Sequence, residues 1–276
     1  MKTRTLSWAV LAGSVLAIAA FGASAQTLEK IKQRGTLVVG VKADYKPFGF
    51  RDPSGKIVGL EPDLAQDVAD ALGVKLELEP VISSNRMKFL QQGKIDLMIA
   101  TMNDKPDRRE IVGIVEPSYY ASGVNVLAPK QAAFKQWEQL KGKPVCAIQG
   151  AWYNKPLAEK FGVDIVAFKG TAEAQTALVQ GNCVAWTYDD TAFPGLLDDK
   201  AKWGEYEMPL PSIMPDPWGL AVPLPERNKA FGRFMSGMVY EWHRSGRLIE
   251  LEKKWALPAS PFVAEMHEKY ASLQLH

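Results

Sequence analysis

A strand–helix rhythm that runs, stops and then starts afresh constrains this chain more than any single motif in it. Leu37-Val38-Val39-Gly40-Val41 is a compact apolar run bounded by glycine, the pattern of a buried strand. Pro62 to Leu72 places Leu64, Val68, Ala71 and Leu72 on one helical face, and Gly73 supplies the stop. Val74 to Glu79 alternates as a strand. Asn85 to Gln92 reads as a helix closed by Gly93, and Ile95 to Ile99 as a further buried strand. Strand, helix, strand, helix, strand in that order predicts a parallel α/β unit. The rhythm then repeats. Lys143 to Ile148, Asp164 to Phe168 and Cys183 to Thr187 read as strands, with helices over Tyr153 to Phe161 and Thr171 to Gln180 between them. Two small α/β units lie end to end.

Around them the pattern is plainer. Thr27 to Arg34 predicts a short helix stopped by Gly35. A proline-rich passage, Pro209 to Pro217, leads into a strand at Trp218-Gly219-Leu220-Ala221-Val222. A long helix over Arg227 to Ser245 and a shorter one over Arg247 to Trp255 close the body, and the segment after Pro258 reads as a peripheral extension. There is no internal repeat at solenoid period and no low-complexity tract.

The chain opens with basic Met1-Lys2-Thr3-Arg4, an apolar stretch from Trp8 to Phe21, and Ala23-Ser24-Ala25. A basic start, a short apolar core and an A-x-A site make residues 1–25 a secretory signal peptide, with the mature chain beginning near Gln26. An exported product is expected. No cysteine stands near the cleavage site to take a lipid, and no later segment is apolar enough to span a bilayer. The roughly 250 mature residues suit one large domain or two lobes. A formal charge of +2 argues against nucleic acid as partner and offers no membrane-binding stretch. No G-x-S-x-G elbow, P-loop or metal-type His/Cys spacing is present, so no cofactor or metal is expected. The three histidines, His243, His267 and His276, all lie near the C-terminus.

The segment Ile99 to Gly123, IATMNDKPDRREIVGIVEPSYYASG, starts apolar and breaks into a polar turn with Arg108 and Arg109 just past a strand. A guanidinium there suits a carboxylate, to which it can donate two parallel hydrogen bonds. Arg109 reads as a surface residue.

Several pieces, each weak alone, occur together and in order. They are Gly40 to Phe48, Gly59-Leu60-Glu61-Pro62-Asp63-Leu64-Ala65, Gly93-Lys94-Ile95-Asp96-Leu97, Ala100-Thr101-Met102, Pro106-Asp107-Arg108, Glu116-Pro117-Ser118-Tyr119-Tyr120 and Tyr188-Asp189-Asp190. In this order the chain resembles the family 3 (polar amino-acid) extracellular solute-binding proteins of bacterial ABC importers, over nearly the whole mature sequence. The resemblance implies an α/β, two-lobed periplasmic binding protein-like fold of type II, with lobes joined by two hinge strands and a ligand cleft between them. Lobe 1 would comprise residues 26–122 and 219–276, and lobe 2 residues 123–218. The crossings would fall near Ala121 to Val124 and Pro217 to Ala221, and hinge closure is the implied motion.

The resemblance also implies site roles. A zwitterion buried in a cleft needs a partner for each charge, or desolvation dominates. Arg108 matches the family's carboxylate-binding arginine, and the helix starting near Pro106 would aim backbone N–H groups at the same anion. Thr101 and Asn103 stand at contact positions. Asp189 matches the acid that accepts the α-ammonium, while Asp190 fits a helix start. Tyr45 matches the aromatic wall. Lys42 stands where cation-binding members tend to carry an acid. Arg86 resembles the arginine that meets the distal carboxylate in glutamate- and aspartate-binding members. Two such cations would favour a second carboxylate and repel lysine or arginine. Glu61 belongs to the signature and could instead pair with one of them.

The chain departs from the family in two places. Ala151 and Trp152, after Gly150, replace small hydroxyl residues, so one carboxylate donor is lost. Trp152 then either fills the pocket or stacks on a ligand. Lys105 replaces the usual threonine before Pro106, a poorer helix cap. Cys146 and Cys183 lie on strands that can be neighbours in the family topology, and an oxidising periplasm would permit a disulfide between them. The expected function is delivery of an amino acid, glutamate or aspartate foremost, to a membrane permease by a monomeric binding protein that makes and breaks no bond. The alternatives are a cyclohexadienyl (prephenate or arogenate) dehydratase-like enzyme using Glu61 and Asp189 on the same fold, or a binding protein for another polar or aromatic amino acid. A sensor module is disfavoured, because no catalytic or membrane domain is attached.

Overall fold

A computed structural model describes residues 27–272. The signal peptide read from residues 1–25 and the histidine at 276 lie outside that range. Helix α1 (Thr27–Arg34) leads into β1 (Thr36–Val41), whose inner side chains Leu37, Val39 and Val41 are fully buried. Helix α2 (Leu60–Leu72) follows, ended by Gly73 in the left-handed conformation at φ 66°. Its apolar face, Leu64, Ala65 and Val68, is removed from water. After β2 (Lys75–Pro80) come α3 (Arg86–Gln91), β3 (Leu97–Met98), the single-turn α4 (Pro106–Arg109) and β4 (Gly113–Ile114).

The chain then passes into a second sheet through β5 (Tyr120–Pro129). The sheet continues with β6 (Pro144–Ile148), α5 (Asn154–Phe161), β7 (Asp164–Phe168), α6 (Thr171–Val179), β8 (Ala185–Asp189) and β9 (Tyr206–Glu207). It returns along β10 (Ile213–Trp218) to β11 (Ala221–Val222). Helices α7 (Ala230–Arg244), α8 (Arg247–Lys254) and α9 (Pro261–Ala271) finish the chain.

The first sheet has the order β2-β1-β3-β11-β4, and the second has β7-β6-β8-β5-β9 with β10 also on β5. In the first, β1 lies parallel to β2 and β3; in the second, β6 lies parallel to β7 and β8. This is the doubled parallel α/β arrangement that the sequence rhythm predicts, with one sheet-rich lobe on each side. The lobes are joined where β5 and β10 run antiparallel, Tyr120 opposite Trp218 and Ser122 opposite Asp216.

Three details correct the sequence reading. The proline-rich passage is itself a strand, β10, because its prolines sit on an edge where only β5 needs a hydrogen-bonding partner. The strand expected at Trp218 to Val222 shrinks to Ala221–Val222. The segment after Pro258 is not peripheral: α9 packs on α7, with Tyr270 against Tyr240 and the His267 ring at the His243 carbonyl. Cys146 and Cys183 are bonded, tying β6 to the loop before β8. Among the described residues no helix is long and apolar enough to cross a membrane.

Candidate functional site

In parallel α/β sheets the carboxyl ends of the strands are where ligands bind. Here those ends from both sheets face each other. Lys42 follows β1, Thr101 and Asn103 follow β3, Gly150 follows β6, and Asp189 ends β8. Lys42, Tyr45, Glu61, Arg86, Thr101, Asn103, Arg108 and Asp189 are all buried, and Trp152 is half-buried. Sequence-predicted residues from distant parts of the chain therefore share one region.

The floor is fastened at the turn after β3. Thr101 adopts φ 48°, a conformation that β-branched residues rarely enter. Its N–H lies 2.6 Å from Glu61 Oε1 and 3.1 Å from the Tyr119 hydroxyl, which itself donates to Glu61. The Arg86 guanidinium donates through Nη1 to the carbonyls of Ala100 and Thr101. A strained turn held from three sides offers a fixed wall rather than an adaptable one. Glu61 thus serves this turn and forms no ion pair with Lys42 or Arg86. Lys42 Nζ stands 3.1 Å from Asp44 Oδ1, an ion pair by distance whose angle makes no hydrogen bond.

Arg108 extends from α4, donating to the Asn103 carbonyl (3.2 Å) and across the cleft to the Gly150 carbonyl (3.1 Å). Gly150, at φ 81°, is needed here: a Cβ on it would meet the Ser83–Ser84 backbone at 3.0 Å. The anion-binding helix expected from Pro106 is a single turn of four residues with no side-chain cap from Lys105, so the guanidinium, not a helix end, supplies the donors at this wall. Arg109, expected at the surface, is half-buried and pairs with Asp104 and Glu116.

Further contacts bridge the lobes. The Tyr45 hydroxyl lies 2.9 Å from Thr191 Oγ1, and Thr171 bonds to Asp44 through its N–H and its hydroxyl. Tyr45 also packs on Phe48, Tyr188 and Trp218. Sequence reasoning missed Asp44, Tyr119, Thr171, Tyr188 and Thr191. Asp44, Tyr119 and Tyr188 lie inside the quoted motifs, which mark them only as neighbours. Thr171 and Thr191 carry no local signal, since their role exists only when the lobes meet.

Burial governs the electrostatics. It pushes the Asp189 carboxyl up to about 7, against the nearby Arg86 guanidinium, which acts in the opposite direction. Glu61 also rises to about 7, mainly by burial, opposed by its bonds from Tyr119 and Thr101. Arg108 falls to about 10 through burial and then through the like charge of Arg86. Lys42 and Arg86 are lowered by burial as well. Lys42, Arg86 and Arg108 thus share one region with Asp44, Glu61 and Asp189.

The contact surfaces leave little room between them. A cavity beside Tyr45 and Tyr188 has a volume of about 20 Å³, space for roughly one water. A larger one of about 390 Å³ lies on the hinge side, between Tyr120–Gly123, Asp190–Thr191 and Leu257–Phe262, and contains neither Arg108 nor Asp189. A solute reaching these side chains needs the lobes to part. Among the described residues no cluster of His, Cys, Asp and Glu could hold a metal ion.

Residues 37–258 match the family model described as bacterial extracellular solute-binding proteins, family 3. An ABC transporter glutamine-binding protein of Bacillus subtilis is 32% identical over 235 residues, covering 83% of this chain and 84% of that protein. A glutamate/aspartate import solute-binding protein of Salmonella typhimurium is 28% identical over 249 residues, covering 84% and 78%. Among solved structures, a mutant of ArgBP from T. maritima superposes with a TM-score of 0.76 at 27% identity, covering 83% of this chain and 99% of that one. These relatives are named as binding proteins, and none of them as an enzyme. The chain belongs to the family 3 bacterial extracellular solute-binding proteins.

Proposed function

We propose that this protein is the periplasmic receptor of an ABC importer and binds an acidic amino acid, glutamate or aspartate, between its lobes. Arg108 takes the α-carboxylate, with Thr101 and Asn103 beside it, and Asp189 takes the α-ammonium. Tyr45 covers the aliphatic part, and Lys42 and Arg86 attract the distal carboxylate. Residues 26–122 with 219–276 move as one body and 123–218 as the other, and a monomer exported by its signal peptide hands the solute to a membrane permease. The observation that carries this reading is a buried region that gathers the cationic side chains of Lys42, Arg86 and Arg108 beside Asp189. A second carboxylate on the ligand is attracted by those cations, whereas a cationic side chain is repelled by them.

One observation favours glutamine instead. Glu61 Oε2 is buried without a partner, an acceptor that a carboxamide N–H would satisfy. Calorimetric titration with a panel of amino acids separates the two. Glutamate or aspartate binding more tightly than glutamine supports the acidic reading, and glutamine ahead of both supports the amide. Tight binding of lysine or arginine with none of these would defeat the charge argument.

A further inference from the structure

The two departures from the family pattern, Lys105 and Trp152, meet. Lys105 precedes α4 in an extended conformation and caps nothing, so its side chain is free to reach outward. Its Nζ lies 3.6 Å from the centroid of the Trp152 ring and 2.5 Å from Asp216 Oδ1. Lys105 belongs to the lobe of the first sheet. Trp152 lies in the loop between β6 and α5 of the other lobe, and Asp216 sits on hinge strand β10 opposite Ser122. The Lys105 and Asp216 side chains are 23% and 12% exposed, which shields the pair from solvent screening. Asp104, next to Lys105, donates its N–H to the Pro217 carbonyl, so the lysine's backbone is tied to the same hinge strand.

We propose that Lys105 and Trp152 form a latch that holds the lobes together at the Arg108 end of the cleft, with or without a bound solute. Asp216 and the Asp104–Pro217 bond belong to the hinge and keep the ammonium in place. The Trp152 ring swings onto it only when the second lobe arrives. A cation on an indole face is attractive, more so as water leaves. The closed form therefore gains a contact that no ligand has to supply. Arg108 to Gly150 and the Ser83–Gly150 approach lie along the same rim, so the latch completes a seam beside the carboxylate-binding wall. Its consequences are a raised closed population in the empty protein and slower solute release. Lys105 and Trp152 act as positioning residues through closure.

Small-angle X-ray scattering on the unliganded full chain tests this, fitted as a mixture of open and closed shapes. Lys105→Met and Trp152→Leu should each lower the closed-to-open ratio by roughly threefold to tenfold. The double variant should fall no further than the Trp152→Leu single, and Lys105→Arg, which keeps a cation over the ring, should restore the ratio. Thermal unfolding of each variant checks that the fold is kept, and Lys105→Met, at a partly exposed site, is the safeguard if Trp152→Leu fails to fold. Scattering indistinguishable between wild type and Lys105→Met, an empty wild type that is wholly open, or additive effects in the double variant would overturn the latch. A second arm rests on the proposed ligand: glutamate dissociation, followed by stopped flow, should quicken by the same factor in both single variants. Unequal or absent quickening contradicts the latch. If glutamate fails to bind while the scattering differences appear, the latch stands and the ligand reading falls.

Discussion

Arg108 is the side chain on which the binding proposal depends. A buried guanidinium makes charge-assisted hydrogen bonds worth about 1.5–3 kcal/mol each, and its removal leaves a carboxylate unpaired in a dry site. Arg108→Ala should weaken binding of the preferred amino acid at least about a hundredfold by calorimetry. A loss below about fivefold would remove Arg108 from the site. Glu61 gives a prediction of a different kind. Its native pKa of about 7 stands above the ordinary 4.5, so its contribution to stability is fully present below about 4.5 and is lost as pH rises through 7. Glu61→Gln keeps an acceptor for Tyr119 and Thr101 without that loss. Urea unfolding should show the variant gaining stability relative to the parent between pH 5 and pH 8, and a flat difference would contradict the burial argument. The sequence makes Arg108 legible because a basic residue after an apolar run needs an anion or solvent. It does not show that Glu61 braces a strained turn, because the partners Tyr119 and Thr101 are 58 and 40 residues away.

At the scale of elements, the parallel strands and the helices between them follow from apolar periodicity, because burial on both faces leaves an unmistakable run. The elements that escaped are those whose stability is borrowed. Strand β10 carries Pro215 and Pro217 and exists only because β5 pairs with it. Helix α9 is kept by Ser260 at its start and by Tyr240 and His243 on α7. Prolines and a polar tail read locally as loop, and only tertiary pairing reverses that. The Cys146–Cys183 bridge belongs to this scale too. It closes a loop spanning 37 positions, for which chain entropy predicts about 3–4 kcal/mol of stability. Replacing both cysteines by alanine should lower the urea midpoint with little change in ligand affinity, since neither cysteine is among the cleft residues. An unchanged midpoint would mean that the bridge adds nothing to the fold.

For the whole molecule, the sheets and their two connections bring α4, which carries Arg108, and the end of β8, which carries Asp189, toward each other, so the proposed site is complete only when the lobes meet. Contacts such as Tyr45 to Thr191 and Asp44 to Thr171 form only between lobes, which is why no local pattern announced them. In this arrangement of the lobes Asp189 is buried and its carboxyl is pushed up to about 7, and parting the lobes should return it towards the ordinary range. A group whose pKa rises on closing takes up a proton, so the empty closed form should be more populated at pH 6 than at pH 8, and Asp189→Asn should abolish the difference. Scattering curves at the two pH values measure this, and a larger closed population at pH 8 would reverse the sign. The central claim, that Arg108 and Asp189 grip the two charges of an α-amino acid, is tested most directly by calorimetry with paired ligands. Glutamate should bind, while glutarate, which lacks the ammonium, and the α-amide of glutamate, which lacks the carboxylate, should each lose at least about a hundredfold. Either analogue binding as tightly as glutamate would contradict the account.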